Sequence, residues 1–177
     1  MTAGSIRLGT YSGIPVRAHW SMALIAILLG VSWSAQIGLT AGVVVTVALF
    51  ASILAHELGH ALVARRYGVQ TQSINLWALG GVAQLDRESP SPRADGLIAV
   101  AGPAVSLVLA IVGLGLGSAL GFDPAAFAEG TAQATTPTVL FMLGSVNAVL
   151  AVFNMLPGAP LDGGRVLRAL RWWRTGD

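Results

Sequence analysis

The sequence predicts an all-α integral membrane protein with about four transmembrane helices, a small β-strand insertion between spans two and three, and a broken, re-entrant turn after span four. Of the 177 residues, 54% are hydrophobic and only 10% are charged, which is too apolar for a soluble domain of this size. The apolar residues fall into four runs, each about as long as the roughly 20 residues that cross a bilayer. All ten basic residues are arginines, and they cluster near the ends of these runs.

We predict that residues 1–177 form a single membrane-embedded domain. A polar, turn-rich segment precedes the first apolar run. The predicted spans cover about residues 20–39, 41–66, 96–120 and 138–156.

Two segments between and after the spans do not follow a helical pattern. Residues 69–86 alternate polar and β-branched side chains around a Gly-Gly pair, a pattern typical of short strands. After the fourth span, Pro157 and Pro160 exclude regular helix, so we predict an irregular turn there. A basic amphipathic tail follows at residues 165–174.

The arginines predict how the spans are oriented. Two arginines precede span one, namely Arg7 and Arg17. Four lie between spans two and three, namely Arg65, Arg66, Arg87 and Arg93. Four follow span four, namely Arg165, Arg168, Arg171 and Arg174. The other two connections carry none. Because positive residues are retained in the cytoplasm, the sequence predicts a multi-pass protein of the cell membrane with both termini cytoplasmic.

The segment His56-Glu57-Leu58-Gly59-His60 lies inside the second span. On a helix, His56 and His60 share one face, so two imidazoles can reach one metal ion. Glu57 then lies beside that ion, where a carboxylate can act as a general base. The alternative is a polar seam that packs helices together. Charged groups in a bilayer cost roughly 2 to 3 kcal/mol each, which disfavours a cluster without a function.

A catalytic zinc ion needs a third protein ligand, and the chain has no cysteine to supply it. The candidates near the cytoplasmic side are His19, Asp86, Glu88, Asp95 and Asp162. The three acidic residues at 86–95 are expected to be solvated loop charges, and His19 an interfacial anchor. Asp162 stands on a turn shaped by prolines and glycines, although it could instead cap the terminal helix.

Together, the His56–His60 segment and the segment Asn154-Met155-Leu156-Pro157-Gly158-Ala159-Pro160-Leu161-Asp162-Gly163-Gly164 resemble the paired signature of the site-2 protease family of intramembrane zinc metalloproteases. Gly80-Gly81 and Ala101-Gly102-Pro103 resemble weaker family features. The similarity covers roughly residues 15–172. Many relatives continue with further spans and regulatory modules, so this chain is expected to be a membrane core.

The resemblance implies a set of residue roles. It implies that His56, His60 and Asp162 bind Zn²⁺ and that Glu57 is the general base. It also implies that Asn154 positions the substrate or stabilises the oxyanion. Where relatives often have an asparagine after Gly-Pro, this chain has Ser106, to which we assign no catalytic role.

The predicted function is that of an intramembrane zinc endopeptidase, which hydrolyses peptide bonds of single-pass transmembrane proteins near their cytoplasmic side in regulated intramembrane proteolysis. The strand segment from Ile74 to Leu85 offers an edge to which an extended substrate could add by β-augmentation. A hairpin that only covers the active site is an equal alternative. Membrane lipid and a homo-oligomer are further expected partners, whereas no basic patch interleaved with aromatics predicts nucleic-acid binding.

Three other functions are compatible with parts of the pattern. A metal-ion transporter or channel could use the same His and Asp cluster, but it would not require Glu57. A membrane-anchored peptidase would have its motif outside the bilayer, which the apolar run before His56 disfavours. An inactive relative serving as a scaffold is disfavoured by the intact ligand and base residues.

Overall fold

The computed structural model describes residues 4–78, 80–133 and 135–176, and most of them are helical. The elements in chain order are β1 (Ser5–Tyr11), β2 (Ile14–His19), α1 (Ser21–Ile37), α2 (Leu39–Arg66), β3 (Thr71–Trp77), β4 (Gly80–Leu85), α3 (Pro92–Ala119), α4 (Pro124–Ala128), α5 (Thr136–Asn154) and α6 (Asp162–Thr175). Within the described residues, α2, α3 and α5 are long and apolar enough to cross a membrane. Helix α1 is apolar but shorter, at 17 residues.

The mostly helical fold agrees with the sequence prediction, but the sheet is larger than the predicted insertion, because it has four strands. Its strands lie in the order β1-β2-β3-β4, with β2 and β3 parallel and the other neighbours antiparallel. Strands β3 and β4 fall within the predicted segment, whereas β1 and β2 come from the N-terminal segment predicted to be turn-rich. Ile14, Val16 and Ala18 alternate on the buried face of β2. Pro15 in β2, Gly9 in β1 and Gly13 in the turn between the strands obscure that alternation, because proline and glycine usually indicate turns.

Helix α3 begins earlier than predicted, at Pro92 rather than at residue 96. Ser91 caps it, because its hydroxyl accepts a hydrogen bond from the Ala94 amide at 3.2 Å. Proline at the first helical position suits such a start, since its missing N–H would have no partner there. Asp95, predicted to be a solvated loop charge, is therefore in the first turn of a helix, and it is fully buried.

The sheet and α3 both pack against α2, and this packing positions the histidine segment. Val16, Ile74 and Leu76 of the sheet form a buried cluster with Ala61 of α2, which follows His60 directly. Helix α3 lies along another face of α2, and α5 packs against both. The motif is therefore enclosed by a sheet and two helices.

Candidate metal centre

Three side chains from two helices converge on one point. His56 and His60 come from α2, and Asp162 is the first residue of α6. The two Nε2 atoms lie 3.2 Å apart, and each lies 3.2 Å from Asp162 Oδ2. All three residues are buried, with 9% or less of their surface exposed. The structure thus brings together the three metal ligands that the sequence predicts.

The spacing and chemistry of these donors fit Zn²⁺. Ligand atoms about 2.0 Å from a tetrahedral ion lie about 3.3 Å from one another. Imidazole nitrogen and carboxylate oxygen are both zinc ligands. The three ligand atoms face one buried point, an arrangement that a bound cation would stabilise.

The Nδ1 atom of each histidine has a hydrogen-bond partner in α3, and this arrangement leaves Nε2 available to bind a metal ion. His60 Nδ1 donates to the Ile98 carbonyl at 2.6 Å, so the Nε2 of a neutral ring carries the lone pair. His56 Nδ1 lies 2.9 Å from the Ser106 hydroxyl, which would accept a hydrogen bond from Nδ1–H in the tautomer whose Nε2 is free to bind a metal. Ser106 is fully buried, and it orients His56. The sequence assigned this residue no role because nothing in the chain order shows that α3 places it against the motif.

Gly102 of α3 allows the helix to approach the two imidazoles. A Cβ atom built there would collide with His60 Nε2, and it would lie 2.6 Å from His56 Nε2. Real side chains do not approach at such distances, so any larger residue would displace the rings. The Gly102-Pro103 pair singled out in the sequence therefore borders the metal ligands directly.

Glu57 is buried between α2 and the sheet. It is 8% exposed, and its side chain packs against Gly81 of β4. A Cβ atom at Gly81 would lie 2.8 Å from the Glu57 carboxyl group, so glycine allows the strand to approach. The Ala83 backbone N–H is directed at the same carboxylate. Strand β4 therefore lies beside the predicted general base.

Asp162 does not cap the terminal helix. The residue before it, Leu161, occupies the cap position, and α6 begins without a side-chain cap hydrogen bond. The carboxylate is instead directed at the two histidines. This geometry favours a ligand role over the capping alternative.

The other candidate ligands lie elsewhere. His19 Nδ1 is paired with the Ser21 hydroxyl at 2.8 Å. The Asp86 carboxylate accepts a hydrogen bond from the backbone N–H of Gln70, and this bond lowers the pKa of the carboxyl group. Glu88 is exposed, and Asp95 binds arginines of α6. Across residues 4–78, 80–133 and 135–176, His56, His60 and Asp162 are the only group of three such residues arranged to hold a metal ion.

Two asparagines of α5 differ in their surroundings. Asn154 is half-buried, and its amide donates to the Leu150 carbonyl at 2.9 Å. Its role at the oxyanion stays a prediction. Asn147 is buried and donates to Ser52 Oγ at 3.1 Å, one helical turn before His56. The sequence places both asparagines on one face of α5, but it does not show which of them reaches α2.

Comparison with known proteins shows the family of the chain. The model of the family described as Peptidase family M50 matches residues 44–133 and 123–177. This chain belongs to peptidase family M50. It is 42% identical to Rip3 of Mycobacterium tuberculosis, a protein named as a zinc metalloprotease, over 98% of this chain and 45% of Rip3. It is 34% identical to a zinc metalloprotease of Methanocaldococcus jannaschii, over 94% of this chain and 45% of that protein.

A solved structure extends the M50 similarity to the fold. The site-2 protease from Methanocaldococcus jannaschii superposes with a TM-score of 0.72 at 32% identity, covering 97% of this chain and 73% of that one. The chain spans about half the length of the curated relatives it matches. Its family and its apolar helices identify it as a multi-pass membrane protein.

Proposed function

We propose that this chain carries the active site of an intramembrane zinc endopeptidase, which cleaves transmembrane proteins near their cytoplasmic side. The observation that carries the proposal is the spacing of His56 Nε2, His60 Nε2 and Asp162 Oδ2, each 3.2 Å from the others, with Glu57 on the same helix. Membership of family M50 supports it.

In the proposed reaction, different residues of the chain have different roles in peptide hydrolysis. A bound zinc ion supplies Lewis acidity, which polarises a carbonyl group and makes water more acidic. Glu57 accepts the proton of the attacking water and returns it to the leaving amine. Its burial between α2 and β4 limits the number of positions that the carboxylate can adopt. The Asn154 amide stabilises the developing oxyanion.

The substrate would bind in an extended form beside β4. A peptide bond within a helix is shielded by its own turn, so the cleaved segment must unwind. Strand β4 is an edge of the sheet, and it packs against Glu57 through Gly81. Adding a substrate strand to this edge would satisfy its backbone groups and bring a peptide bond near the base.

The membrane arrangement of the proposed enzyme uses four spans. Helix α1 is the additional span, because it is mostly apolar and its 17 residues are only a few short of the roughly 20 that cross a bilayer. The irregular segment 155–161 is a re-entrant turn, a kind of backbone that membranes tolerate where protein surrounds it. The arginine distribution puts both termini and the metal ligands toward the cytoplasmic side of the cell membrane.

The test replaces the proposed general base. In Glu57→Gln, the amide cannot accept a proton, so cleavage of a model transmembrane substrate in detergent is expected to fall by about 100-fold or more. Zinc content, measured by elemental analysis, is expected to stay unchanged because Glu57 is not a ligand.

A matched control is Glu129→Gln, which changes an exposed glutamate in the connection between α4 and α5. We expect wild-type zinc content and wild-type cleavage. Cleavage retained by Glu57→Gln would overturn the assigned role. Loss of cleavage by both variants would show that removing a carboxylate anywhere in the chain impairs cleavage, so the loss in Glu57→Gln would not identify a general base. A transporter would be favoured if the wild type cleaves no substrate but shows a zinc-dependent ion flux, and if Glu57→Gln keeps that flux.

A further inference from the structure

The buried carboxylate of Asp95 forms an ion cluster with two arginines of α6, the helix that begins at a proposed metal ligand. The Asp95 carboxylate accepts two hydrogen bonds from Arg168 Nη2, each at 2.8 Å, and one from Arg168 Nε at 3.1 Å. Arg165 Nη2 donates to the same carboxylate at 3.3 Å, and the Ser89 hydroxyl donates at 3.0 Å. The side chain of Asp95 is only 1% exposed.

Burying a carboxylate is costly, and the cost is offset only where its oxygens are well paired. Here both oxygens have partners, and the Arg168 guanidinium binds with the planar geometry that suits a carboxylate. An isolated surface ion pair would contribute little to the packing of two helices. A buried, multiply bonded carboxylate instead fixes where α6 lies on α3.

The two helices joined by this cluster each contribute to the metal centre. The Ile98 carbonyl and the Ser106 hydroxyl of α3 orient the two histidines. Helix α6 begins at Asp162, and Arg165 lies one turn further along the same helix. The cluster therefore connects the element that orients two ligands with the element that supplies the third.

We propose that Asp95 is a positioning residue for zinc binding, which acts through Arg165 and Arg168 to hold the Asp162 carboxylate at the two histidines. The cluster ties the first turn of α3 to the second turn of α6. Without the cluster, the start of α6 is free to shift, and Asp162 is then within reach of the two histidines in only a fraction of the molecules. This inference rests on the proposed metal site but not on the proposed protease activity.

The experiment measures the zinc dissociation constant of the purified chain by competition with a chromogenic chelator. Asp95→Asn keeps the shape of the side chain and removes its charge. We expect the dissociation constant to rise about 10-fold, because residues that orient a ligand typically change affinity by that much or more. Arg168→Gln is expected to act in the same direction. Its side chain is 65% exposed, so this variant should fold even where Asp95→Asn does not.

A second measurement separates a positioning role from a general loss of stability. In an Asp162→Ala background the third ligand is already absent, so adding Asp95→Asn should leave the remaining zinc affinity unchanged. The control is Arg171→Gln, which removes an exposed arginine on the same helix that is outside the cluster. It should bind zinc like the wild type.

The outcomes distinguish the two proposals. Wild-type zinc affinity in both Asp95→Asn and Arg168→Gln would overturn the positioning role. An equal loss of affinity with and without Asp162 would overturn it too, because the effect would not pass through that ligand. A wild-type chain that does not bind zinc would instead overturn the proposed metal site.

Discussion

At the level of single residues, the absence of a side chain at Gly102 leaves room for the imidazoles of His56 and His60. In Gly102→Ala, the new methyl group would overlap His60 Nε2 and lie 2.6 Å from His56 Nε2. The rings cannot retreat easily, since each is held at Nδ1 by a hydrogen bond to α3. We expect zinc affinity to fall at least 10-fold in a chelator competition assay.

The matched control for this substitution lies on the same helix. A Cβ atom at Gly115 would meet no atom within 4 Å, so Gly115→Ala adds a methyl group in open space. Glycine costs a helix interior up to about 1 kcal/mol relative to alanine, so the control should unfold at the same or a slightly higher temperature. If Gly102→Ala binds zinc as tightly as Gly115→Ala does, the steric role of Gly102 is wrong.

Some site residues can be recognised from local sequence spacing, whereas others can be recognised only when the packing of distant helices is known. His56, Glu57 and His60 follow from helical spacing alone, which local geometry determines. Asp162 needed the resemblance to a family, since it is more than 100 positions away. Ser106 could not be assigned from sequence, because its role depends on how α3 is rotated against α2.

Strand β4 allows a test at the level of secondary structure elements. An added substrate strand would place alternate side chains on the same face as Val82, which is 50% exposed. With Val82→Cys in a Glu57→Gln background, single cysteines along a substrate are expected to form disulfides with a period of two residues. The chain has no cysteine of its own, so every cross-link reports the introduced pair.

The other edge of the sheet supplies the control for this experiment. Ile6 of β1 is 68% exposed, and β1 is separated from β4 by two strands. Ile6→Cys should give no periodic cross-linking. A period of three or four residues at Val82→Cys would indicate a helical substrate, and no cross-linking there would favour a hairpin that only covers the site.

The N-terminal hairpin shows why one group of elements was not predicted. Its strand β2 pairs in parallel with β3, and α1 and α2 lie between them in the chain. Such long-range pairing leaves no local signal beyond alternation, and Pro15 makes the alternating β2 sequence resemble a turn. The three long apolar helices were simpler to predict, because a membrane span requires length and apolar composition whatever the neighbouring elements are.

The orientation of the whole molecule can be tested because the chain lacks cysteine. Thr10, Glu88 and Ala128 are exposed and lie in the N-terminal hairpin, the connection between β4 and α3, and α4 respectively. If arginine-rich segments stay in the cytoplasm, a membrane-impermeant maleimide should label Ala128→Cys in intact cells. Thr10→Cys and Glu88→Cys should be labelled only after the membrane is permeabilised. Labelling of Glu88→Cys in intact cells would contradict this orientation, because it would place the arginine-rich segments and the metal ligands toward the outer side of the membrane.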